Sequence, residues 1–272
     1  MTHSLFIFRF FRDADRRSAV LDPTGRVIRD MAEDTKKTKQ LKKIIECAIE
    51  VFSARGYKEA QMSHIAHEAG IALGTLYLYF ESKESLFNFL LKYIFADDQQ
   101  DLSAMSVPIS SRSWDSGIAS GRNAFVSSKF SALFDDATHR DDIADVHEEF
   151  EKIIRNLFST LDTYRRGIII LLRSSVNCPQ LADFYVSIVR DLLELLAAYL
   201  DKRIGQGLLR EVPSVSASAR FILASIGWFA VHRHWAVHEV AFSEEIWEDT
   251  VVDALTYAFI PEHLRQPRRA IA

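Results

Sequence analysis

A chain of 272 residues with 48% hydrophobic side chains holds enough apolar material for one or two packed domains. Its 10 Gly and 6 Pro are too few for the many tight turns of a sandwich or barrel, so long helices are expected. The net charge of −4 does not exclude a polyanionic partner, because residues 31–95 carry nine Lys and Arg against eight Asp and Glu, whereas residues 96–272 carry 18 against 25.

The first thirty residues hold six Arg against four Asp and one apolar run, Ser4 to Phe11, which is short and interrupted by Arg9. No small-residue cleavage site follows it, so it reads as neither a signal peptide nor a membrane span. Residues 1–35 are expected to be a disordered arm or an over-extended N-terminus, with translation starting at Met31.

Lys36, Lys37, Lys39, Lys42 and Lys43 put five positive charges into eight residues, a footprint suited to phosphate. The helix carrying them is predicted over 36–55, since Ile44, Ile45, Ala48, Val51 and Phe52 recur at helical spacing and Gly56 ends the run. Ser63 then reads as the N-cap of a short helix with Ile65, Ala66 and Ala69 on its inner face. Gly70 stops that helix in the left-handed conformation. A second short helix over 74–80 buries Leu76 and Phe80, four apart on one side. Two short helices, a small residue at their crossing and a glycine in the turn make a helix-turn-helix. Ser82 caps a fourth helix expected to run to about Ala104, with Ser85 at the position a capping box usually gives to an acid.

Four segments in this order, Ala48-Ile49-Glu50-Val51-Phe52-Ser53-Ala54-Arg55-Gly56-Tyr57, Ile65-Ala66-His67-Glu68-Ala69-Gly70, Gly74-Thr75-Leu76-Tyr77-Leu78-Tyr79-Phe80 and Ser82-Lys83-Glu84-Ser85-Leu86, closely resemble the DNA-binding domain of TetR-family transcriptional regulators over about residues 40–92. The resemblance implies an all-α protein. Its N-terminal three-helix DNA-binding domain would span 36–82, and a C-terminal helical domain for effector binding and dimerisation would span 83–262. A frayed tail over 263–272 would follow. It also implies a cytoplasmic homodimeric repressor reading a palindromic double-stranded operator, released by a small apolar or aromatic effector, with no cofactor and no membrane partner. An activator of the same type remains an alternative.

Within the head, Gly74 allows close backbone approach and free N–H groups at the start of the recognition helix. Thr75 offers a hydroxyl to a phosphate or base edge. By resemblance, Tyr77 and Tyr79 make phenol–phosphate contacts, Lys83 meets the DNA backbone, and Ser63 is the hydroxyl at the start of the second helix. Leu73 departs from the lysine or other polar residue many members carry there. It and Leu78 are suited to a thymine methyl. His64 is expected on the solvent side, within reach of DNA. With Lys36, Lys37 and Lys39 these are the expected DNA-binding residues.

Beyond a linker over Val107–Ser120, helices are predicted at about 118–134, 141–161, 163–175, 180–206, 214–238 and 243–260, with Thr138 and Asp141 as caps and Pro179 and Pro213 at helix starts. Ile222, Ile226, Phe229, Ile246 and Leu255 are the expected dimer interface. Trp114, Phe125, Phe130, Phe134, Phe150, Phe158, Tyr164 and Phe184 suffice to line an apolar pocket, and Arg165, Arg166, Arg173 and Asn177 offer polar ends. No residue is assigned to the effector. His234 and His238 have a spacing that suits a metal on one helical face, but no evident set completes it, so no metal is expected.

An enzyme finds little support, for there is no Gly-rich phosphate loop, nucleophile elbow or His-Glu-x-x-His. His147-Glu148-Glu149, with Lys152 following, reads as a solvated salt-bridging face. A helical protein-interaction module that binds no operator is the other reading.

Overall fold

The computed structural model describes residues 26–95, 101–110, 134, 137, 143, 145–235 and 243–266; for residues 26–35, 234, 235 and 244 only the backbone is described. The described residues form helices and turns. Their one strand-like feature is an isolated parallel bridge between Phe80 and Ile109.

Helix α1, Arg26–Glu59, begins ten residues before the lysine cluster that was expected to open it. Gly56 breaks it at φ 69° and ψ 175°, and the chain turns at the predicted point. Helices α2, Met62–Glu68, and α3, Leu73–Tyr79, follow. Gly70 between them takes φ 64°, as a helix-stopping glycine should. The expected cap of α2 is corrected: Gln61 is the N-cap, without a side-chain bond, and the Ser63 hydroxyl lies inside the helix and donates to Gln61 Oε1 at 3.3 Å.

The head has its own apolar core. Ile44, Ala48 and Phe52 of α1, Ile65 and Ala69 of α2, and Leu76 and Phe80 at α3 are all fully buried. Phe87 of α4, Lys83–Phe95, meets Phe52 edge-on at 5.0 Å and Tyr57 at 4.9 Å. The cap of α4 is as predicted, with Ser85 N donating to Ser82 Oγ at 3.0 Å and the two hydroxyls 2.9 Å apart. The described part of α4 ends at Phe95, and Leu102–Ala104 is a separate 3-10 turn capped by Asp101. The expected continuous helix to Ala104 is interrupted, because Asp101 takes an extended ψ of 95° and bonds Ser103 N at 3.0 Å.

Residues 101–110 fold back on the head instead of leading away from it. Ile109 N donates to Tyr79 O at 2.8 Å and Glu81 N to Ile109 O at 3.1 Å.

The rest is a helical bundle: α5, Val146–Thr163; α6, Arg165–Ser175; α7, Pro179–Gly205; α8, Val215–Ala230; and α9, Glu244–Phe259. Asp145, not Asp141, caps α5, accepting from His147 N at 2.9 Å and Glu148 N at 3.1 Å. Thr138, Asp141 and nearly all of the helix expected over 118–134 lie outside the described residues. Pro179 opens α7 as predicted, whereas Ser214, one residue after Pro213, caps α8. That helix stops eight residues short of the predicted 238: the Arg233 guanidinium donates to Phe229 O, and His232–Trp235 is a 3-10 turn.

The face expected to be solvated on α5 is only partly so: Glu148 and Lys152 are exposed, whereas His147 and Glu149 join a largely buried network. His147 is buried and its Nδ1 accepts from Gln266 N at 3.1 Å. Glu149 accepts from Tyr199 Oη at 3.0 Å and from Nε of the fully buried Arg203 at 2.9 Å. Of the three acidic-face residues only Glu148 is exposed. The tail is also pinned through Gln266, with Arg265 Nη2 donating to Tyr257 O at 2.9 Å. Residues 267–272 lie outside the described residues.

Candidate nucleic-acid interface and effector cavity

Helix α3 turns one side into the head and leaves the other free. Leu76 is fully buried, while Leu73, Tyr77 and Leu78 are 42%, 45% and 66% exposed. Large apolar side chains so exposed on a seven-residue helix cost solvation, and the core gains nothing from them. Gly74 is exposed and Thr75 half-buried. A β-carbon on Gly74 would meet nothing within 4 Å, so the start of the helix is open to an approaching backbone. Tyr79 is half-buried and burial pushes its phenol pKa up. His64 is half-buried rather than solvent-facing, with no hydrogen-bond partner for Nδ1 among the described residues.

The basic residues divide into two groups. Lys36, Lys39, Lys42 and Lys43 are exposed on α1. The Lys43 ammonium lies 3.7 Å from where a β-carbon of Gly70 would stand, which puts it beside the helix-turn-helix turn. Lys37 is half-buried and donates to Met105 O at 3.1 Å, holding the returned segment. Lys83 is likewise engaged: its ammonium donates to Tyr57 O at 2.9 Å, Ala60 O at 2.9 Å and Lys58 O at 3.3 Å. It also sits 4.5 Å from the Tyr57 ring centroid. Burial lowers its pKa, with Glu59 pulling the other way. In this structure Lys83 staples the turn after α1, whereas the resemblance gave it to a phosphate. Burial also raises the Tyr57 phenol to about 12.

A cavity of about 370 Å³ opens among α4, α5, α6, α7 and α8. Phe95, Leu171, Leu192 and Val231 supply apolar wall, and Tyr185, Arg220 and His232 supply its ionisable groups. The aromatics suggested by sequence are placed elsewhere. Phe134, Phe150, Phe158, Tyr164 and Phe184 are buried in the core and none lines the cavity, while Trp114, Phe125 and Phe130 lie outside the described residues. Of the polar ends suggested, Arg165 pairs with Asp162 at 3.1 Å, Arg166 with Glu46 at 2.8 Å and Glu50 at 2.9 Å, and Arg173 and Asn177 do not line the cavity. Sequence reasoning missed Arg220 and Tyr185. The available signal was a lone Arg on an otherwise uncharged helix.

Helix α6 touches both regions. Ile168, Leu171 and Leu172 line the cavity. From the same helix Arg166 reaches the two α1 glutamates, and Ser174 Oγ accepts from Tyr57 N at 3.0 Å. Gly167 lies so close to α4 that a β-carbon there would stand 2.7 Å from Ile94 Cγ2.

The expected dimer face needs correction. Ile222 and Ile226 are fully buried and Leu255 nearly so within their own subunit, so they cannot also cover a partner. Phe229 is half-buried against Trp247, ring centroids 5.4 Å apart. Ile246 is exposed, and Phe221 and Trp228 are the large apolar side chains that α8 leaves more than half exposed. His238 lies outside the described residues and only the backbone of His234 is described. Among the described residues no helix is long and apolar enough to cross a membrane.

Comparison with known proteins agrees with the head's geometry. Residues 44–89 match the family described as "Bacterial regulatory proteins, tetR family". The chain is 49% identical over 49 residues to the fatty acid metabolism regulator protein of Bacillus subtilis (strain 168), a match covering 18% of this chain and 25% of that protein. The chain thus spans about a quarter of the length of that curated relative. Among solved structures, AibR in complex with isovaleryl coenzyme A and operator DNA aligns with a TM-score of 0.50 at 20% identity, over 80% of this chain and 98% of that one. The ketosteroid transcriptional regulator KstR2 of Mycobacterium tuberculosis aligns with a TM-score of 0.50 at 18% identity, over 80% and 94%. At these identities the two structures speak for the fold alone.

Proposed function

We propose, from the match of residues 44–89 to the tetR family of bacterial regulatory proteins, that this chain is a homodimeric repressor that leaves a palindromic operator when a small molecule fills the cavity. The observation that carries the reading is the free side of α3: Leu73, Tyr77 and Leu78 stand exposed on a helix whose other side, through Leu76, is sealed into the head. Tyr77, Thr75 and the exposed α1 lysines set register on phosphates, and Leu73 and Leu78 read thymine methyls. One short helix spans too few base pairs for specificity, so two heads are required, and Phe221, Trp228 and Ile246 supply an apolar face for pairing.

Helix α6 connects ligand to DNA. It forms cavity wall and clasps α1, so a ligand that prefers a shifted α6 favours a different placement of the head. Only that difference in affinity between the two states moves the equilibrium.

Fluorescence anisotropy of the full chain tests this, with the duplex upstream of its own gene beside a scrambled duplex at about 50 and 200 mM salt. Tight binding to the native duplex alone, weakening with salt, is the expected result. No binding to either at low salt would favour the helical interaction module.

A further inference from the structure

Among the described residues, the cavity wall carries one positive charge without an ion pair, Arg220, and no negative one. Tyr185, Arg220 and His232 are its ionisable side chains, and neither Asp nor Glu lines it. Most of the remaining lining is aliphatic or aromatic, including Leu161, Ile168, Ile188 and Leu223. Arg220 forms no ion pair and Tyr185 no hydrogen bond within the described residues, although a guanidinium has five donors to place. The two are electrostatic neighbours: burial pushes the Tyr185 phenol pKa up and the charge of Arg220 pulls it back. Burial lowers the pKa of His232, so that end of the cavity favours a neutral imidazole.

Resting on the effector reading above, we propose that this cavity takes an anionic amphiphile, its apolar body among the α6, α7 and α8 side chains and its anionic group on the Arg220 guanidinium and the Tyr185 hydroxyl. A buried apolar wall contributes affinity in proportion to area, and a charge-assisted pair at the rim fixes orientation. At about 30 Å³ for each water-sized group, a cavity of about 370 Å³ holds roughly a dozen heavy atoms. That suits a medium-chain carboxylate. A coenzyme A thioester with the same tail ends in an uncharged thioester, and its phosphates lie a pantetheine arm beyond the cavity.

Four probes sharing a ten-carbon chain separate the possibilities: decanoate, decanoyl coenzyme A, uncharged decanol and cationic decyltrimethylammonium. Each is titrated by calorimetry into the full-length protein and into R220Q, whose exposed site is not part of the core. Decanoate should bind best, and R220Q should weaken that binding about tenfold, as for loss of a charged hydrogen bond, while changing decanol less than about threefold. Tighter binding of decanoyl coenzyme A than of decanoate would overturn the carboxylate as the group at Arg220. Equal losses for decanol and the anions, preference for the cation, or no binding of any probe would overturn the proposal. Operator anisotropy with the same probes keeps the two readings distinct. Arg220-dependent binding that leaves DNA bound would sink the effector role and keep the site, whereas operator binding with no probe bound would sink the site and keep the DNA-binding reading.

Discussion

The backbone N–H of Tyr57 donates to the hydroxyl of Ser174 at 3.0 Å, across 117 residues of sequence. This bond fastens the end of α1, where the head turns, to the last turn of a helix that walls the cavity. Beside it, a β-carbon on Gly56 would stand 2.8 Å from the carbonyl oxygen of Arg173. The head and the bundle meet here without space to spare.

Gly56→Ala should therefore be costly twice, once for φ 69° and once for the clash with backbone that cannot swing away. We expect a loss of about 2 kcal/mol or more and a melting temperature lower by roughly 4 °C or more, read by thermal denaturation. An unchanged melting temperature would mean that the contact between α1 and α6 yields easily.

The exposed side of α3 gives a prediction in which stability stays fixed. Leu73→Ala and Leu78→Ala should leave the melting temperature within about 1 °C, because neither side chain is core. In competition binding they should reorder operator variants at thymine positions by about 1 kcal/mol. Tyr77→Phe should weaken operator and random DNA alike. Equal losses on every sequence from the leucine changes would remove them from base reading.

Lys83→Ala should behave differently. Its ammonium holds three carbonyls around the turn after α1, so the first effect should be on stability. Allowing for its partial exposure, about 1–2 kcal/mol is expected in urea denaturation. A variant of full stability and weak DNA affinity would return Lys83 to the phosphate.

Removing the carboxylate from a fully buried guanidinium should be severe, although Gln206 Oε1 still accepts from it at 2.8 Å. Glu149→Ala leaves Arg203 without its carboxylate and Tyr199 without its acceptor, at a cost of about 3–5 kcal/mol. Glu149→Gln, which keeps an acceptor, should cost less. The order of the two midpoints in chemical denaturation checks the assignment.

The Asp145 cap supplies an acid-sensitive contribution. Burial raises its pKa, but bonds from Glu148 N, the Gln266 side chain and His147 N outweigh that and hold it below the usual 3.8. A carboxylate with a depressed folded pKa stabilises above its unfolded value, and that stability is lost as pH falls through the folded one. Asp145→Ala should cost about 1 kcal/mol at pH 7, and less as pH drops below about 3.8. A penalty independent of pH would mean that the charge is immaterial to the cap.

Much of the head was readable along the chain because its signals are local. Gly56 and Gly70 ended helices where a left-handed residue was needed, Ser82 capped α4, and the spacing of Leu76 and Phe80 told the buried side of α3 from the free one. These features need only a residue and its neighbours within about one helical turn. The same locality allowed α6, α7 and α9 to be placed within a few residues.

Contacts between distant segments carried no such signal. Lys83 and Tyr57 are 26 residues apart, and nothing local could show that the ammonium would settle on carbonyls instead of remaining free for a phosphate. Ile222 and Leu255 were apolar on the right faces for an interface, yet the packing of the bundle within one subunit consumed those faces and left Phe221 and Trp228 outside. Aromatic content suggested a pocket, but the aromatics filled the core, and the cavity formed where Leu171, Leu192 and Arg220 converge from three helices. Periodicity assigns each helix a buried side; which neighbour fills that side is a property of the packed chain.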